Sequence, residues 1–145
     1  MIGMAGGAGV CPTLLYDDAK AAIATLKDAF GFSEIAVYEG EDGRVLHAEL
    51  GFGSGVVMLG SKGGEGAYAK VMADAGPSSC YVAVAGGPPA LDAHHARAAA
   101  HGVEILMEPT DQSYGSRDYM ARDAEGNVWS FGTYAPEAAG GAGEG

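Results

Sequence analysis

Residues 10–31, VCPTLLYDDAKAAIATLKDAFG, decide how this chain folds. Val10 to Tyr16 is an apolar, strand-like run, Asp17 and Asp18 offer carboxylates to the first turn of a helix, and Gly31 is suited to end one. Ile23, Leu26 and Phe30 fall on one face of that helix. Downstream, Glu34–Tyr38, Arg44–Leu50 and Val56–Gly60 read as strands, separated by turns at Glu41-Asp42-Gly43 and Gly51–Gly55. The order is strand, helix, then a meander of three antiparallel strands.

The order returns at residues 79–102, SCYVAVAGGPPALDAHHARAAAHG. Ser79–Ala85 is strand-like, Gly86-Gly87-Pro88-Pro89 breaks it, and Ala90–His101 is a helix stopped by Gly102, with Leu91, His95 and Ala98 on its buried face. Val103–Met107, a polar loop at Glu108–Arg117, Asp118–Arg122, the turn Asp123–Gly126 and Asn127–Tyr134 complete the second pattern. Gly31 and Gly102 lie 71 positions apart, and the strand ends near Met58 and Ser130 repeat at nearly that offset. The economical reading is a duplicated βαβββ unit: one α+β domain over 10–134, with modules at 10–60 and 79–134. Residues 61–78, Gly-rich and closing on Gly76-Pro77, form the linker, with room for a short helix around Tyr68–Ala73. Residues 1–9 and 135–145, rich in Gly and Ala, are expected to be flexible.

At 145 residues the chain has the size of a single domain, and no stretch approaches the roughly 18 apolar residues of a membrane helix. A net charge of −11 with scattered Lys and Arg would repel a phosphate backbone, so neither nucleic acid nor membrane is an expected partner. The start lacks the charged and hydrophobic parts of a secretory signal, and cytoplasmic residence is expected. Cys11 and Cys80 each open an apolar run and read as buried free thiols.

Strand parity then points to a site. In Arg44–Leu50, Leu46, Ala48 and Leu50 alternate with Val45, His47 and Glu49; with the first set under the helix, His47 and Glu49 face the opposite, concave side. Two such sheets facing each other would close a cavity. Trp129 and Phe131 alternate with Ser130 and belong under the helices. Arg117 and Tyr119 follow a polar loop, where Arg could meet an anion and Tyr stack on a flat ligand, unless Arg117 bonds Asp111 or Asp118 to hold the loop. His94 and His95, adjacent on a helix, point about 100° apart and cannot share a ligand. Gly51–Gly55 has no helix after it to bind phosphate, so it is a hairpin and not a dinucleotide loop.

The phrases Asp18–Phe32, His47-Ala48-Glu49-Leu50, Pro109-Thr110-Asp111, Tyr114–Tyr119 and Asp123–Gly132 resemble the vicinal oxygen chelate superfamily, which holds glyoxalase I, extradiol dioxygenases, fosfomycin-modifying enzymes and bleomycin-resistance proteins. The resemblance runs from about Val10 to Tyr134 and implies tandem βαβββ modules forming a concave sheet cavity. It also implies metal positions near Cys11, Met58, Ser79 and Ser130, where one thiol, one thioether and two hydroxyls replace the usual His and Glu. No metal and no cofactor are therefore expected. Family members of this size commonly complete their cavities across two chains, which implies a homodimer. The leading expectation is a metal-free small-molecule-binding protein of the glyoxalase/bleomycin-resistance type, sequestering a drug or other cationic or aromatic molecule, with His47, Glu49, Met58, Arg117 and Tyr119 lining the pocket. The alternative is a lyase, isomerase or dioxygenase-like enzyme using His47 and Glu49. A third is an accessory binding module.

Overall fold

The computed structural model describes residues 9–137, so the expected flexible ends lie almost wholly outside the described residues. The first module comprises β1 (Thr13–Tyr16), α1 (Ala19–Asp28), β2 (Ser33–Glu39), β3 (Val45–Phe52) and β4 (Gly55–Ser61). A short helix, α2 (Ala67–Met72), lies in the linker, and β5 (Ser79–Ala83), α3 (Gly87–Ala100), β6 (Glu104–Asp111), β7 (Arg117–Arg122) and β8 (Val128–Gly132) form the second module. The sheets have the same order, β1-β4-β3-β2 and β5-β8-β7-β6. In each, the first strand runs parallel to the last and the other pairs are antiparallel, because the crossover helix returns the chain in its original direction before the meander begins.

The helices form where the sequence caps them. Asp18 accepts the Ala21 N–H at the start of α1, and Gly31, at φ +77°, turns the chain out of its end. Helix α3 starts at Gly87, earlier than expected, and takes Pro88 and Pro89 into its first turn. Proline costs little there, because first-turn N–H groups have no partner within the helix. Strand β6 runs on through Pro109 to Asp111, which shortens the expected polar loop. Pro109 is tolerated because β6 is an edge strand.

Three strands carry extra residues, and β6 carries two, the second between Met107 and Thr110. Ile35 is skipped between the pairs Glu34–Leu50 and Ala36–Glu49, and Leu106, 71 positions later, between Ile105–Ala121 and Met107–Met120. The repeat thus extends to this pair of bulges. The bulge in β3, at Leu46, lies between the pairs Tyr38–His47 and Glu39–Val45. It overturns the expectation that Leu46 lies under the helix: Leu46 is 62 % exposed, and Val45, at 1 %, takes its place in the core. A bulge inserts one residue and resets the alternation, and Ala48 and Leu50 beyond it remain buried as expected.

Ile23 and Leu26 of α1 pack with Leu14, Tyr16, Ala48, Leu50, Val57 and Leu59, while Leu91 and Ala98 of α3 join the same core as Tyr119, Ala121, Trp129 and Phe131. The modules meet through these helix-facing residues. The Phe30 ring lies 5.9 Å from Trp129 and 4.8 Å from Phe131. Beside it, Asp123 Oδ2 accepts from the Tyr16 hydroxyl at 2.8 Å and from Trp129 Nε1 at 3.1 Å, and Asn127 Nδ2 donates to the same carboxylate. Burial, then the Asp123 charge, pushes the Tyr16 hydroxyl's pKa far up, so it stays a donor. Glu125 caps the Asp17 and Asp18 N–H groups, and Arg97 donates to the Lys27 and Asp28 carbonyls.

Two outcomes follow for chemical denaturation. Val45→Ala is expected to cost about 2–3 kcal/mol and Leu46→Ala less than about 0.5 kcal/mol, whereas an unbulged strand would reverse the order. Asp123→Ala, which strands the Tyr16 and Trp129 donors, is expected to cost about 2–3 kcal/mol.

Candidate functional site

Beyond the bulge, β3 turns Ala48 and Leu50 toward α1 and therefore His47 and Glu49 toward the other face. Glu49 stands opposite Met58 on β4, and Met58 opposite Thr13 on β1. His47 Nε2 lies 2.9 Å from Glu49 Oε2, and the imidazole stacks on Tyr38 with centroids 6.3 Å apart. The two side chains are 40 % and 36 % exposed, and Ile35, Tyr38 and Leu46 are exposed apolar neighbours on the same strands. An imidazole hydrogen-bonded to a carboxylate can hold a polar group of a ligand or carry a proton. Here that pair sits on a largely apolar, open face.

Tyr119 and Arg117 lie elsewhere, which corrects their expected place on the concave side. Tyr119 pairs with Phe131 and Ala121 with Trp129, so these residues share the helix-facing side of their sheet. Tyr119 is fully buried, its ring stacked on Phe131 with centroids 5.1 Å apart, and burial holds its hydroxyl protonated. Arg117, two residues earlier on the same side, donates through Nε to Asp92 Oδ1 at 2.8 Å and through Nη1 to Asp111 Oδ1 at 3.0 Å. Both hydrogen bonds raise its pKa. The opposite face of this sheet instead carries Tyr81, Asp118, Met120 and Ser130.

His94 serves the interior. Its Nε2 donates to the Phe30 carbonyl at 2.8 Å, so its Nδ1 accepts from the Tyr119 hydroxyl at 2.5 Å. The ring packs 4.4 Å from Phe131, and burial pushes its pKa down. His95 diverges toward Glu108, as the helical spacing requires.

A cleft of about 480 Å³ opens at the module junction over Phe32, Phe52, Val57, Cys80, Val82 and Trp129, and includes none of the five expected site residues. Cys80 borders it as a half-buried thiol, its pKa raised by burial and then by Asp123, while Cys11 is exposed, contrary to expectation. The alternation of Cys80, Val82 and Val84 was the sequence signal for that wall. A second cleft, of about 520 Å³, lies beside α2 and is lined by Leu15, Arg44, Leu46 and Tyr68. Its position rests on the Leu46 bulge, which the sequence does not announce.

The model of the glyoxalase/bleomycin resistance protein/dioxygenase superfamily matches residues 10–131. The chain belongs to this superfamily. Among solved structures, TioX from Micromonospora sp. ML1 is similar with a TM-score of 0.71 and 27 % identity, covering 89 % of this chain and all of TioX. Lactoylglutathione lyase from Agrobacterium tumefaciens shares the fold at 19 % identity and a TM-score of 0.60, over 87 % of this chain and 93 % of that one. The Mycobacterium tuberculosis protein Rv0887c is 30 % identical over 121 residues, 83 % of this chain and 71 % of its own.

Enzymes of the superfamily hold a divalent metal, and the residues here do not fit one. The implied positions offer Cys11, Met58, Ser79 and Ser130, a soft and largely neutral set that suits no hard divalent cation. Among the described residues, no three His, Cys, Asp or Glu side chains gather closely enough to replace it.

His94 sets a pH dependence. Its folded pKa lies below the ordinary value near 6.5, so the unfolded chain takes the proton first and acid favours unfolding. Stability is expected to fall as pH drops through about 6.5, and His94→Gln is expected to flatten that fall in urea titrations at pH 7 and pH 5. An unchanged slope in the variant would count against this assignment.

Proposed function

We propose that this protein binds a small molecule on the faces of its sheets that the helices leave uncovered, without a metal or cofactor, and that His47, Glu49 and Met58 contact the ligand. The observation that carries the reading is the hydrogen-bonded, half-exposed His47–Glu49 pair standing among exposed apolar side chains on β2 and β3. Soluble proteins cover most of their apolar surface, and a polar pair framed by such residues matches the composition of ligand sites. The modules meet through their helix-facing sides, so a second copy is the simplest cover for the open faces. We therefore infer a homodimer, for which two-fold symmetry is the commonest arrangement. The net charge of −11 favours cationic ligands, and drug sequestration in the cytoplasm fits a binder of this kind.

A second reading is favoured by the 2.9 Å contact itself: a carboxylate that orients an imidazole is a proton-transfer pair, as in a lyase or isomerase. Recovery of the bound compound separates the two readings, since a binder returns it unchanged and an enzyme returns an isomer or cleavage products.

His47→Ala and Glu49→Ala are each expected to weaken ligand binding by roughly 1–3 kcal/mol in calorimetric titrations. Both should leave the melting temperature of the free protein nearly unchanged, because both residues are surface-facing. Binding that survives both substitutions intact would exclude this face as the site. Sedimentation equilibrium is expected to give about twice the 14.6 kDa chain mass, and a monomer would remove the proposed cover.

A further inference from the structure

The second sheet carries a carboxylate that the interior does not use. Strand β7 turns Asp118 away from α3, yet the residue is only 8 % exposed. Its Oδ1 accepts from Ser116 Oγ at 2.5 Å and its Oδ2 from the Tyr114 hydroxyl at 2.9 Å. Among the described residues it forms no ion pair: the neighbouring Arg117 points to Asp92 and Asp111. Across the strand, a Cβ on Gly132 would collide with the Asp118 carboxylate and the Tyr81 hydroxyl, so the missing side chain is what admits both groups to one spot. Tyr81, whose hydroxyl donates to the Tyr134 carbonyl, and Tyr114 are both exposed and flank the carboxylate.

Hydroxyl donors satisfy lone pairs without neutralising the charge, and a buried carboxylate gains most from a cation. Exposed aromatic rings beside a carboxylate are a general means of holding an organic ammonium group, through cation–π attraction added to the ion pair. We propose that Asp118, with Tyr81 and Tyr114, binds the protonated amine of the ligand. This inference rests on the reading that the uncovered sheet faces bind a small molecule, and it names the ligand class: an aliphatic or aromatic amine, charged at neutral pH. Tyr114, on the loop between β6 and β7, donates to the outer carboxylate oxygen from an exposed position, where its ring is free to meet the amine.

The test is an amide NMR titration of the full chain with benzylamine and, separately, with benzyl alcohol, its neutral counterpart, at pH 7. Benzylamine is expected to produce saturable shifts at residues 114–118 and 132–134 that weaken as salt rises, while benzyl alcohol at the same concentrations leaves them in place. Asp118→Asn is expected to weaken benzylamine binding at least about tenfold. Should that variant fold poorly, Tyr114→Leu, at an exposed position, is expected to keep the fold and weaken binding about threefold. Equal responses to amine and alcohol, no response to benzylamine, or unchanged binding in both variants would overturn the assignment. Shifts confined to His47, Glu49 and Met58 would also overturn it while leaving the wider binding reading standing. That wider reading fails separately, if His47→Ala and Glu49→Ala bind ligand as the parent does.

Discussion

Phe30, at the end of α1, packs against Trp129 and Phe131 of the other module, and the rest of the structure is arranged around that contact. It commits the helix-facing side of both sheets to one shared interior. The Asp123 carboxylate, tied to Tyr16 and Trp129, and His94, tied to Phe30 and Tyr119, fasten the same junction with hydrogen bonds. Aromatic burial supplies most of the driving force, and the buried polar groups fix how the modules sit, since each would be costly to leave unpaired. With one side of each sheet spent in this way, His47, Glu49 and Met58 on the first sheet and Asp118 and Met120 on the second are left for other work.

The repeat was legible because it is written in residues with strong local meaning. Gly31 and Gly102 end helices, Asp18 caps one, and Trp129 and Phe131 alternate as core residues must. Leu46 was misread because no residue type marks a bulge, and one inserted position reverses every parity on its far side. His47 and Glu49 escaped that error, since their parity was set by Ala48 and Leu50, on their own side of the bulge. Arg117 and Tyr119 were misplaced for a different reason: the face of β7 depends on its register with β8, which is a long-range pairing. The register of Tyr119 against Phe131 puts both under the helices, and Asp118, one position away, inherits the open face.

Membership in the superfamily fixes the fold and leaves the chemistry open, because one scaffold serves several reactions as well as plain binding. The side chains narrow the choice. The implied metal positions hold a thiol, a thioether and two hydroxyls, whereas the open faces hold a His–Glu pair, an unneutralised carboxylate and several aromatic rings. Under the reading proposed above, this set serves recognition of a cationic, partly apolar molecule. The cleft over Cys80 and Trp129 is the competing location, apolar and of ligand size.

The most direct discrimination between the two locations is methyl NMR of protein labelled at its methionines, recorded with each compound that raises the melting temperature in a screen of drug-like amines and aromatics. Met58 faces the proposed site and lies outside the junction cleft. Stabilising compounds are expected to shift the Met58 methyl and to lose that effect in His47→Ala. Compounds that stabilise the protein, leave Met58 unmoved and perturb the Trp129 indole would place the ligand in the junction cleft and contradict the central claim.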